Sequence, residues 1–161
     1  MLIIKGGLIH NAVEKEPFIG DIMIQHGKIV EILRDGEECV SAVDATIIDV
    51  SGLEVYPGFV EAHGHIGLDG YGIGYEGKDY NEMGDIACPQ MRGIDGVKAM
   101  DPAFAQAREA GVTCVCTGPG SANVVAGTFA AIKMYGSRIE NMIVKDPVAM
   151  KCAFGENPKS S

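Results

Sequence analysis

The sequence predicts an α/β chain in two parts, a small β-sheet module over residues 1–57 and a β/α module over residues 58–161. Three observations predict it. No segment before Pro57 places apolar residues at the helical period of about 3.6. After Pro57, short apolar runs alternate with stretches that carry helix start and stop signals. Apolar residues make up 47% of the 161 positions, enough for a buried core and far from the composition of a disordered chain.

In the first module, Leu2-Ile3-Ile4 opens a strand, Gly6-Gly7 breaks it, and Leu8-Ile9 resumes it. Residues 21–25 and 28–33 flank His26-Gly27, a two-residue link with glycine second that suits a tight hairpin. His26 is therefore a turn residue rather than a ligand. Ile47-Ile48-Asp49-Val50 adds another strand, and Pro57-Gly58 marks the turn that ends the module.

The second module opens with a buried strand from Phe59 to His63. Asp101 has the character of an N-cap, Pro102 of a first helical residue, and Gly111 of the residue just past a helix end. Val112-Thr113-Cys114-Val115-Cys116 is a second strand. Ser121 or Asn123 caps a helix through residues 129–135, which Gly136 ends. Residues 149–154 form the third strand. Met142-Ile143-Val144 lies only about four residues before it, whereas a parallel crossover needs roughly a dozen. Strands separated by helices predict right-handed βαβ crossovers and a parallel sheet. Residues 155–161 are expected to fray.

A net charge of −9 excludes a nucleic-acid partner, because phosphates are repelled rather than neutralised. The five cysteines, at positions 39, 88, 114, 116 and 152, lack paired spacing. Cys114 and Cys116 read as reduced core residues, and no second pair completes a zinc site with them. The chain has no signal-peptide pattern and no stretch of membrane-spanning length, so no membrane partner is expected and a reducing cytoplasm is the expected location.

The chemistry concentrates at His63-Gly64-His65. Residues i and i+2 of a strand share a face, so both imidazoles project into one space where they can hold a single divalent cation. Imidazole suits zinc first, with manganese or iron as alternatives. The pair ends its strand, and sites in α/β sheets form at strand C-termini.

Pro57 to His65, preceded by Ile47-Ile48-Asp49-Val50-Ser51-Gly52-Leu53-Glu54-Val55, resembles the first barrel strand of the amidohydrolase superfamily. Asp101-Pro102-Ala103-Phe104, Gly111-Val112-Thr113-Cys114-Val115, Gly118-Pro119-Gly120-Ser121-Ala122-Asn123 and Phe154-Gly155-Glu156-Asn157-Pro158-Lys159 are similar to its imidazolonepropionase-related branch. The resemblance runs over essentially the whole chain. It implies half of a β-sandwich followed by the first three βα strands of an incomplete TIM (β/α)8 barrel, since a full barrel takes about 250 residues. It also implies a metal-dependent hydrolase that acts on carbon–nitrogen bonds other than peptide bonds, often in cyclic amides, through a metal-activated water. The partner is then a small-molecule amide substrate.

His63 and His65 match the first-strand ligand pair of that family, and Glu156 stands where part of the superfamily uses a glutamate ligand. Lys151 would resemble the carbamylated, metal-bridging lysine of other members only if its strand were the fourth; a count of three makes it structural. The later histidine ligands and the aspartate that acts on water have no counterpart here, so the general base is expected outside this chain. One alternative is a catalytically inactive truncated fragment or subunit. Its open sheet edge favours self-association or a complementary chain. Another is an anion-binding α/β domain built on Gly118-Pro119-Gly120 at a helix start.

Residues 66–100 read as a flexible lid, rich in glycine and carrying Tyr71, Tyr75 and Tyr80. Arg92 reads as a surface arginine. Gly72-Ile73-Gly74-Tyr75-Glu76-Gly77 matches the dinucleotide-binding pattern only in letters, without the strand-to-helix turn that gives it meaning.

Overall fold

A computed structural model describes residues 1–37 and 44–159, which leaves Cys39, Ser160 and Ser161 outside the described residues. The chain divides into two compact units, Met1–Pro57 and Gly58–Ser161.

The first unit is a sheet of β1 (Leu2–Ile9), β2 (Phe18–Gln25), β3 (Lys28–Arg34), β4 (Thr46–Asp49) and β5 (Glu54–Val55). Its order is β3-β2-β1-β4, with β5 also on β1. β2 runs antiparallel to β1 and β3, while β4 and β5 run parallel to β1. His26 and Gly27 take positive φ values of 51° and 73°, as a primed hairpin turn requires. β1 does not stop at Gly6-Gly7. It bulges there, with Gly6 at φ +74° and its amide donating to Asp21 Oδ1 at 2.8 Å. Ile3, Met23 and Leu33 form the buried cluster of this unit.

The second unit contains β6 (Phe59–Gly64), α1 (Gly93–Gly96), α2 (Pro102–Glu109), β7 (Val112–Thr117), β8 (Val125–Lys133), α3 (Ile139–Met142) and β9 (Ile143–Cys152). The sheet order is β6-β7-β8-β9. α2 begins as its sequence predicts: Asp101 accepts a hydrogen bond from the Ala103 amide at 2.9 Å, and Pro102 fills the first turn, where a missing N–H costs nothing. Gly111, at φ +91°, turns the chain into β7, which pairs parallel with β6.

Residues 125–133 are strand, not helix. β8 pairs antiparallel with β7 and with β9, so the expected all-parallel sheet holds only for β6 and β7. A short apolar run is ambiguous between helix and strand, and here Gly127 decides against the helix. Its φ is +107°, and a Cβ would meet the Met91 carbonyl oxygen at 2.4 Å. Residues 143–152 form one continuous strand, which takes in both Ile143-Val144 and most of the expected third strand. With β8 in place, β9 is the fourth strand of the sheet.

The core lies on one face of this sheet, where Val115, Ala130 and Ile132 meet Leu68, Ile94, Val97 and Phe104. The segment 66–100 is thus no loose lid: it supplies Leu68, Ile94 and Val97 to the core and bridges to β8 through Ala87 and Arg92. Cys114 and Cys116 alternate with the buried Val115 and Thr117, so they occupy the opposite face and are half-buried rather than core residues. β6 is not a buried strand either; Phe59 is 58% and Val60 64% exposed at the sheet edge. Near the C-terminus, Asn157–Lys159 forms a 3-10 turn that buries Pro158.

Candidate metal centre

Strand direction gathers the site. β6 and β7 run together, β8 reverses and β9 reverses again, so β6, β7 and β9 end at one rim. His63 is the last but one residue of β6 and His65 follows its end, Gly118 follows β7, and Lys151 is last but one in β9. Gly64 pairs with Thr117, whose side chain is wholly buried on the core side. Its two neighbours, His63 and His65, consequently project from the other face, as their one-residue spacing predicts.

The imidazole centroids lie 5.6 Å apart with the rings nearly perpendicular. His65 Nδ1 lies 2.8 Å from the carbonyl oxygen of Gly118. A carbonyl only accepts, so Nδ1 carries the proton and Nε2 keeps a lone pair in the neutral ring. Tyr80 stacks on the same ring at 5.4 Å and 21°. One contact sets the tautomer and the other the ring plane, the kind of support that metal-ligating histidines have.

His63 packs edge-on against Phe129 at 5.2 Å. Its Nε2 is 3.2 Å from Lys151 Nζ. An ammonium has donors only, so Lys151 donates and His63 accepts. The His63 pKa is held below the usual histidine range, first by partial desolvation, then by the positive charges of Lys151 and His65, with Glu61 opposing. The donor set therefore fits a cation in one respect: the two rings lie side by side, and the contact at Nδ1 of His65 leaves its Nε2 as the ring nitrogen that could meet a metal. A third donor is less plainly supplied. Glu156 is exposed and paired with Lys159 at 3.1 Å, and among the described residues no three His, Cys, Asp or Glu are arranged to hold a metal.

Two members of this rim were not assigned to it from the sequence: Lys151, set aside as structural, and Tyr80. Lys151 read as structural because its strand counted as third; β9 is the third strand in the β6 direction, and the contact with His63 across the sheet is what brings Lys151 to the rim. Tyr80 stood in a segment taken as a flexible lid, and no local signal distinguishes it from Tyr71 or Tyr75.

Two other expectations change. Gly120 N donates to the Tyr80 carbonyl at 2.6 Å and Ala122 N to Asn81 Oδ1 at 3.3 Å. These amides are occupied and no helix starts after them, so the anion-binding reading of Gly118-Pro119-Gly120 loses its basis. Residues 75–77 are a 3-10 turn, without a dinucleotide-type strand-to-helix turn. Arg92 is held by Asp146 at 2.7 Å and Asp95 at 3.6 Å, which raises its pKa and commits it to the fold.

Among the described residues no helix is long and apolar enough to cross a membrane. No family model matches the chain. The amidohydrolase tasK of Hapsidospora irregularis is 33% identical over 156 residues, covering 88% of this chain and 16% of that protein. The allantoinase of Enterococcus faecalis is 40% identical over 89 residues, 54% of this chain and 17% of that one. The crystal structure of an amidohydrolase from Thermotoga maritima MSB8 superposes with a TM-score of 0.92 at 40% identity, covering 99% of this chain and 40% of that one. The chain thus spans about a sixth of the length of these curated relatives. Nothing in these likenesses singles out the imidazolonepropionase-related branch. Together they support the amidohydrolase superfamily as the family of this chain, which corresponds to a segment of its longer relatives.

Proposed function

We propose that this chain is part of a metal-dependent hydrolase that opens carbon–nitrogen bonds of non-peptide, often cyclic, amides, and that His63 and His65 hold its divalent cation. The observation that carries the reading is the His65 Nδ1 contact to the Gly118 carbonyl, which leaves Nε2 as the ring nitrogen outside that contact, beside a second imidazole. Zinc suits the imidazole donors best, with manganese or iron as alternatives. When bound, such a cation supplies Lewis acidity toward an amide carbonyl and acidifies water to a pKa of about 7.

The chain's own residues prepare that position. Gly118 and Tyr80 orient His65, and Phe129 shields one side of His63. Lys151 presents the difficulty, because its ammonium sits on the lone pair that a cation needs. Carbamylation resolves it: the ammonium gives one proton to solvent, the neutral amine attacks carbon dioxide, a nitrogen–carbon bond forms as one carbon–oxygen π bond opens onto oxygen, and a second proton leaves to solvent. A cation beside His63 becomes an anion with two oxygen donors. This is the arrangement of superfamily members with a carbamylated lysine, and the 3.2 Å approach of Lys151 Nζ to His63 Nε2 is what supports it here. Glu156 would serve as a further ligand only on release from Lys159.

We place residues 1–57 as half of a β-sandwich and 58–161 as part of the barrel, in a cytoplasmic protein of the imidazolonepropionase-related branch. A second reading, a fragment silent until a complementary chain joins it, is favoured by the exposed β6 edge and the short donor set. Metal analysis together with a screen of cyclic-amide hydrolysis separates the two. Zinc uptake that is lost in His63→Ala and His65→Ala supports the metal centre, and uptake unchanged in both variants refutes it. Turnover by the chain alone favours the first reading, and turnover only with added partner chain favours the second.

A further inference from the structure

A cavity of about 690 Å³ opens beside His65 and shares that residue with the metal centre. Its size suits a small organic ligand. The rings of Tyr71 and Tyr80 line it, offering flat faces to a planar group. Its polar lining is more telling. Asp69 and Asp101 are both there, and no lysine or arginine is. The nearest base to Asp69 is Lys78, whose Nζ is 4.0 Å away and which does not line the cavity.

Four backbone donors on this lining are already engaged. Ala103 N and Tyr71 N donate to the two oxygens of Asp101 at 2.9 and 3.2 Å, so the start of α2 is capped from within. Gly120 N and Ala122 N are held by Tyr80 and Asn81. Asn81, Ser121 and Asn157 on the lining can donate as well as accept, whereas its two carboxylates, Asp69 and Asp101, have no lysine or arginine beside them there.

We propose that this cavity is the specificity pocket of the hydrolase, and that it selects flat cyclic amides whose substituent is a hydrogen-bond donor or a cation, against those bearing a carboxylate. Its role as a substrate pocket rests on the function proposed above; its charge preference does not. Asp69 is the selecting residue, because its carboxylate is exposed and only weakly paired, whereas the oxygens of Asp101 hold the fold.

The test titrates the full chain, with and without zinc, with three hydantoins that differ in one substituent: aminomethyl, methyl and carboxymethyl. Calorimetry is expected to show the aminomethyl compound binding about tenfold or more tightly than the carboxymethyl one, a gap that narrows at high salt. Asp69→Asn, at an exposed position, should shrink the gap to less than about threefold and leave zinc uptake unchanged. An equal or reversed order, an Asp69→Asn protein with the gap intact, or no binding of any of the three at millimolar concentration overturns the proposal. Zinc analysis is read separately. The charge order without zinc uptake sinks the metal centre and keeps the pocket, and zinc uptake without the order does the reverse.

Discussion

Lys151 Nζ meets His63 Nε2 at 3.2 Å, although β7 and β8 stand between their strands. Neighbouring strands lie about 4.8 Å apart, so three intervals separate these backbones by roughly 14 Å in a flat sheet. The two side chains lean toward each other across the face that carries Phe129. That contact makes the lysine's charge state decisive for anything His63 binds.

The sign of a lysine substitution therefore discriminates. If Lys151 remained an ammonium in the metal-loaded protein, Lys151→Met would relieve repulsion and raise zinc affinity. The carbamate reading predicts the opposite, a loss of about tenfold or more, within the range that supporting groups of metal sites command. Added bicarbonate should strengthen zinc binding by the unaltered chain and leave Lys151→Met unaffected. Chelator competition measures both effects.

Tyr80 should act on the metal only through the plane of His65. Tyr80→Phe keeps the stacked ring and should hold zinc as before, whereas Tyr80→Ala should weaken binding by about tenfold. Equal affinities for all three proteins would show that the stacking is incidental.

Much of this was legible from local chemistry. The His26-Gly27 hairpin, the Asp101-Pro102 helix start and the shared face of His63 and His65 each depend on residues within a few positions of one another. β8 was not legible, because Phe129, Ala130 and Ile132 satisfy both periods over so short a run. The decision there belongs to Gly127 and to the Met91 carbonyl packed against it, a contact 36 positions apart that no local pattern encodes. Missing β8 hid the hairpin that carries β9, and with it the approach of Lys151 to His63. The exposure of β6 escaped for a different reason: an apolar run reads as buried whether or not anything covers it.

β8 should also be the stability determinant of the second unit. Ile132 is wholly buried between Val115 and the covering segments. Ile132→Ala should cost about 2–5 kcal/mol, the transfer loss plus an unfilled cavity. Val144→Ala, at an exposed position of β9, should stay within about 0.5 kcal/mol. Urea unfolding of the two variants gives the comparison directly.

In the first unit, acid should release one specific tie. Glu14 Oε2 accepts from Arg34 Nη2 at 2.6 Å, and that bond holds the Glu14 carboxyl below its ordinary value of 4.5. A carboxyl whose pKa is lower folded than unfolded binds more protons when unfolded. Its contribution is therefore complete above the unfolded value and disappears as pH falls through the folded one. Melting temperature should drop across that acidic window, and Glu14→Gln should flatten this part of the profile. The exposure of this pair keeps the effect small.

The edge of the second sheet should govern association. Among the described residues β6 pairs only with β7, and Val60 on it is 64% exposed. An apolar edge strand offers both unsatisfied backbone groups and hydrophobic surface to another chain, and a lysine there is a common natural remedy. Val60→Lys removes the attraction without touching the His63 contacts. Sedimentation velocity should show oligomers of the unaltered chain that dissociate to monomer in Val60→Lys, with zinc uptake retained. A chain that is already monomeric at tens of micromolar would mean that this edge does not drive assembly.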